Sequence, residues 1–136
     1  MEYFGIEVHG AYCFTPFPLE ENEPLEDQWF FLGSDVGTLR YEFRGYCFDL
    51  TTTWYGDKED ILHEKNVFVI RVIEGPRTLG KTFFNKNSKS DLKELKLLMK
   101  EGIDFIESIK KMSDDEISTL PGYPRDANWD DSHLCD

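Results

Sequence analysis

No stretch of this sequence approaches the ~20 consecutive apolar residues that a membrane-spanning helix requires. The opening Met1-Glu2-Tyr3-Phe4 carries no basic region leading into a long apolar run, so no leader, no membrane partner and a cytoplasmic location are expected. Cysteine is scarce. Cys13, Cys47 and Cys135 are odd in number and far apart, which argues against a disulfide framework and for a reducing compartment. Histidine is as rare, and His9, His63 and His133 lack signature neighbours: His63-Glu64 is not followed by the second histidine of a zinc helix. His9 and Cys13 would stand ~13 Å apart on a strand, too far for one ion. The cluster Asp126, Asp130, Asp131, His133 and Cys135 has ligand types but no recognised ligand spacing. No metal site, no cofactor and no catalytic residues are therefore expected, and the chain reads as a binding protein rather than an enzyme.

Basic residues are also few, 15 Lys and Arg against 27 Asp and Glu, for a net charge of −12. Residues 1–66 hold fourteen acids and four bases, residues 67–112 six and ten, and residues 113–136 seven and one. Such a balance excludes nucleic acid as the main ligand, because affinity for phosphate backbones comes from Lys and Arg. It favours a basic protein partner, whose approach the field accelerates.

What is present in quantity is aromatic surface, 15% of the 136 residues, in a chain that is 40% hydrophobic and 31% charged. That composition and length suit one globular domain with a real core. Phe4, Ile6, Val8, Tyr12 and Phe14 share one face at period two, so residues 3–14 read as a half-buried strand. The acidic run from Leu19 to Asp27 reads as an exposed loop, Trp29-Phe30-Phe31-Leu32 as a short buried strand, and residues 33–37 as a turn. Residues 38–54 alternate as one strand that changes phase near Gly45, where a bulge or bend would account for the shift. Residues 57–66 are polar and suit a loop or a short helix, and Val67 to Ile73, almost wholly apolar and β-branched, suits a central strand.

From Leu92 the period changes. Leu92, Leu95, Met99, Ile103, Ile106 and Ile109 recur at three- and four-residue steps, predicting an amphipathic helix with an outer face of Lys93, Lys96 and Lys100. Asp91 with Glu94, and Ser113 with Glu116, have capping-box spacing, and Gly102 inside the helix suggests a close approach to a sheet. The expected fold is α+β: an antiparallel β-sheet of four to six strands with one long C-terminal amphipathic helix packed on one face. Residues 1–122 would form the single domain and residues 123–136 an acidic tail.

Two constellations bear on function. Gly75-Pro76-Arg77-Thr78-Leu79-Gly80-Lys81-Thr82 satisfies the phosphate-loop pattern letter for letter after an apolar strand, with Gly75, Gly80, Lys81 and Thr82 as its cofactor-binding positions. That pattern also needs a helix opening at the Gly-Lys-Thr, and the residues after Thr82 are poor helix formers. The competing reading is a hairpin that pairs Val67–Ile73 with Lys81–Phe84. The second constellation interleaves acids with large aromatics: Glu20, Glu21, Glu23, Glu26 and Asp27 precede Trp29, while Trp54 and Tyr55 precede Asp57, Glu59 and Asp60. Carboxylates pair with Arg and Lys, and Trp and Tyr anchor interfaces at low entropic cost. These eleven residues are the candidate partner-binding set.

With its size, charge, strand-rich pattern and the stretches Trp54-Tyr55-Gly56-Asp57 and Val67-Phe68-Val69-Ile70-Arg71-Val72-Ile73, the chain resembles the small acidic immunity proteins of bacteria, including those of contact-dependent growth inhibition. The resemblance implies an inhibitor that binds a toxin domain, often a nuclease, and blocks its active site. A nucleotide- or phosphate-binding protein built on residues 75–82 and a non-inhibitory adaptor are the alternatives.

Overall fold

In a computed structural model, which describes residues 1–74 and 81–124 and only the backbone of Tyr123 and Pro124, the chain forms an antiparallel meander backed by one long helix. Strands β1 (Glu2–Tyr3) and β2 (Ile6–Glu7) make a two-stranded ribbon. The main sheet runs β3 (Ala11–Thr15), β4 (Gly37–Phe43), β5 (Tyr46–Tyr55), β6 (Val67–Glu74) and β7 (Lys81–Lys89), each paired with the next in sequence. Helices α1 (Leu92–Lys110) and α2 (Asp114–Ser118) follow, and β8 (Tyr123–Pro124) closes the far edge against Lys81 and Thr82. The α+β class, the antiparallel sheet and the long helix on one face are as the sequence predicts. Tyr123 and Pro124, the first residues of the expected tail, belong to this sheet, and residues 125–136 lie outside the described residues.

Alternation along the strands separates two faces. Leu39, Tyr41, Phe48, Leu50, Phe68, Ile70 and Val72 are fully buried beneath α1, which packs through Leu95, Met99, Ile103 and Ile106. Gly102 sits where the helix comes closest: a Cβ there would lie 2.6 Å from Leu50 Cδ1. Among the described residues no helix is long and apolar enough to cross a membrane.

Three local expectations are corrected. Residues 3–14 are not one strand. Phe4-Gly5 has positive φ at both positions (51° and 73°), giving a two-residue turn, and Gly10 at φ 72° resets the phase again. Tyr12 and Phe14, expected to be buried, are 45% and 57% exposed on edge strand β3. Residues 38–54 are likewise two strands. Arg44 and Gly45, both at positive φ (49° and 83°), form a tight hairpin that reverses the chain and so changes the alternation. Finally, Trp29-Phe30-Phe31 is not a buried strand. It ends a 3-10 helix, Leu25–Phe31, kinked at Gln28, that turns Leu25 and Gln28 inward and the three aromatics outward.

The helix caps carry one pH prediction. Asp91 caps α1 by accepting from the N–H groups of Lys93 (2.7 Å) and Glu94 (3.2 Å). At α2 both halves of the capping box are made: Glu116 N–H donates to Ser113 Oγ (3.2 Å), and Ser113 N–H donates to the Glu116 carboxylate (3.0 Å). The backbone bond from Ser113, and then its side-chain bond, hold the Glu116 carboxyl below its ordinary value. A folded-state pKa below the unfolded one stabilises above the unfolded value and is lost as pH falls through the folded value. Acidification is therefore expected to lower amide protection across residues 114–118, measured by hydrogen exchange. Glu116→Gln, which can still cap, should flatten that pH response.

Candidate functional site

The Leu25–Phe31 helix is held by one buried amide. Gln28, 6% exposed, accepts from Glu20 N–H through Oε1 (2.7 Å) and donates through Nε2 to the carbonyls of Glu20 (3.0 Å) and Glu23 (3.1 Å). The acidic loop is thereby pinned beneath the helix that follows it. With Gln28 turned in, Trp29, Phe30 and Phe31 stand at the surface, 52%, 58% and 38% exposed. Trp29 meets Phe30 edge-on with centroids 5.8 Å apart, and Phe30 lies 4.3 Å from Phe31. Three contiguous exposed aromatics are costly in water unless something covers them in function.

A second amide builds the facing loop. Asn66, 5% exposed, donates through Nδ2 to the carbonyls of Asp60 (2.7 Å) and Ile61 (3.0 Å), and accepts from Asp57 N–H through Oδ1 (3.2 Å). Asp57 Oδ1 accepts from Glu59 N–H (2.9 Å), tightening the turn further. Gly56 is required here, since a Cβ would lie 2.5 Å from Asn66 Cγ. The result is a cleft of about 450 Å³ between helix and loop, lined by Glu26, Trp29, Lys58, Glu59 and Ile61. Lys58 Nζ stands 5.9 Å from the centre of the Trp29 ring, within the range of a cation–π contact.

Of the sequence-predicted partner-binding residues, the structure brings Glu26, Trp29 and Glu59 into this one cleft. Glu20, Glu23, Asp27, Asp57 and Asp60 are exposed on the same two segments. Glu21 is exposed as well but already faces a cation, Lys96 Nζ of α1 at 3.3 Å. Trp54 is not on the surface. It is 5% exposed in the core, its Nε1 donating to Ser90 Oγ (2.9 Å), so it cannot reach a partner without unfolding. Tyr55 is half-buried, its hydroxyl accepting from Arg71 Nη2 (3.3 Å), and lies on the sheet face that α1 leaves uncovered. Phe30, Phe31, Lys58 and Ile61, and the positioning amides Gln28 and Asn66, are the residues that sequence reasoning did not assign to the site. The first two had a signal, a run of three aromatics adjoining an acidic loop.

That uncovered sheet face holds a second hollow of about 510 Å³. Its floor is a polar pair, Arg40 and Asp49, directly opposed across β4 and β5 and joined by two hydrogen bonds of 2.7 and 2.9 Å. The Phe14 ring covers the guanidinium at 3.7 Å. The hydrogen bond to Asp49 holds Arg40 protonated, above its ordinary value, against the opposing effect of burial.

The phosphate-loop alternative is corrected by the same coordinates. Lys81 and Thr82 open strand β7, with Thr82 fully buried, where a phosphate loop needs the first turn of a helix. The hairpin of Val67–Glu74 with Lys81–Lys89 is formed instead, and Gly75 and Gly80 lie outside the described residues.

No family model matches the chain, and no curated protein or solved structure matches it significantly.

Proposed function

We propose that this chain is a small acidic binding protein that neutralises a basic protein partner, an immunity protein that blocks a toxin domain. The observation that carries the reading is the exposed Trp29-Phe30-Phe31 cluster beside the Glu26 and Glu59 carboxylates. Aromatic anchors ringed by charge are the anatomy of a protein interface: the anchors supply affinity as they lose water, and the acids supply orientation and on-rate. The field of residues 1–66, fourteen acids against four bases, extends that attraction beyond the contact itself.

The test is capture of the partner from the native host, followed by reconstitution with the purified partner. A basic polypeptide should be retained at low salt and progressively released as salt rises, and its activity should be lost in the complex. Trp29→Ala and Phe30→Ala should each weaken the complex by about 2 kcal/mol, roughly thirtyfold, measured by calorimetry. Trp54→Phe, altering a core residue, should change stability with little effect on affinity. Recovery of no basic partner would remove the reading, and a partner that stays fully active when bound would make the chain an adaptor.

A further inference from the structure

The Trp29 cleft has a composition that selects one chemical group. Its ring wall is Trp29, its carboxylates are Glu26 and Glu59, and its apolar base is Ile61. A cation over an indole face with carboxylates at its edge gains from the ring quadrupole and from charge-assisted hydrogen bonds together. The chain already places a cation there, since Lys58 Nζ lies 5.9 Å from the Trp29 centroid, near the outer limit of such a contact. Among the described residues Lys58 makes no ion pair. Nothing but the ring and the general field therefore holds it in place, and a flexible ammonium can swing away at little cost.

Resting on the reading of the chain as a binder of a basic protein, we propose that this cleft is a receptor for a single cationic side chain of the partner, an arginine or lysine, which seats on Trp29 and displaces Lys58. The volume of about 450 Å³ accommodates such a side chain with its hydration. Arginine fits better than lysine: a planar guanidinium stacks on the indole and can still bond a carboxylate in its own plane. Lys58 then acts as an intramolecular competitor, its charge lowering the affinity of the empty cleft for any cation.

The experiment uses the whole chain and a capped peptide carrying three arginines separated by glycines. The neutral control is the same peptide with citrulline in their place. Binding is followed by chemical shifts of the Trp29 indole N–H and the Glu59 amide. The arginine peptide is expected to shift both resonances and the citrulline peptide neither. Trp29→Leu and Glu59→Gln, both at exposed positions, should each weaken binding about fivefold. Lys58→Ala should tighten binding by about threefold more than Lys93→Ala, which removes the same charge from α1.

Equal effects of Lys58→Ala and Lys93→Ala would overturn the proposal, because the acidic surface as a whole would then be the receptor. Equal binding of the citrulline peptide, or binding unchanged by Trp29→Leu, would overturn it as well. Each of those results leaves the basic-partner reading standing, which fails only if the salt-dependent capture recovers no basic polypeptide.

Discussion

Asp49→Ala is expected to lower the unfolding free energy by about 3 kcal/mol, read as a shift in the urea midpoint and a fall in Tm of about 10 °C. The Arg40 and Asp49 side chains are only 14% and 11% exposed, and the two hydrogen bonds between them are short. Truncating the acid leaves a guanidinium held between the Phe14 ring and the sheet with no carboxylate to balance it. Breaking a fully buried pair costs about 3–5 kcal/mol, and the hollow's opening to water places this one at the lower end. Arg40→Leu with Asp49→Leu should lose much less, since removing both charges also removes the desolvation that the pair has to offset. The pair itself should add no pH dependence through Arg40 in the physiological range. A folded pKa raised above the unfolded one stabilises below the unfolded value and is lost only as pH rises through the folded value, which for this guanidinium is strongly alkaline.

How far the sequence reveals this fold depends on how much chain each signal spans. Helix α1 repeats its apolar spacing over 19 residues and is capped by Asp91, so its period and start are both legible. The β6–β7 hairpin is legible because an apolar β-branched run meets residues too poor in helix propensity to continue a phosphate loop. The β4–β5 hairpin is hidden by its brevity: Arg44-Gly45 reverses the chain in two residues, and Arg-Gly lacks the left-handed preference that makes Asn-Gly or Asp-Gly recognisable. Trp29 to Leu32 is a run of four apolar residues, too short for periodicity to separate a buried strand from an exposed helical turn.

The candidate site divides along the same line. Its acids and Trp29 are visible as composition, but the meeting of Glu26 with Glu59 depends on the return of the loop at residues 56–66. That return is set by Asn66, which in a sequence looks like any loop asparagine. Trp54 is the converse case. Its neighbours Asp57, Glu59 and Asp60 suggest a surface, yet alternation along β5 turns it into the core, because facing is decided by strand register and not by the charge of the next loop.

Asn66→Ala should therefore reach beyond its own position, with an expected cost of about 2–4 kcal/mol and the loss of the cleft. The side chain closes three hydrogen bonds at once, two donated to the carbonyls of Asp60 and Ile61 and one accepted from Asp57 N–H. Alanine leaves two acceptors and one donor in and around a site that is 5% exposed, and each buried unpaired group costs about 1–3 kcal/mol, reduced where water can enter. Asn66→Asp is the sharper variant. It keeps the volume and can still accept from Asp57 N–H, but it has no proton for the two carbonyls and sets a carboxylate against them. Its destabilisation should equal or exceed that of alanine, whereas a purely steric role for Asn66 predicts near-neutrality. Hydrogen exchange should show faster amide exchange across residues 57–66 in both variants, with α1 protected as before. Because Lys58, Glu59 and Ile61 reach the cleft only through this loop, partner affinity should fall alongside stability. Unchanged exchange at residues 57–66 in the aspartate variant would show that the loop holds its shape without the amide.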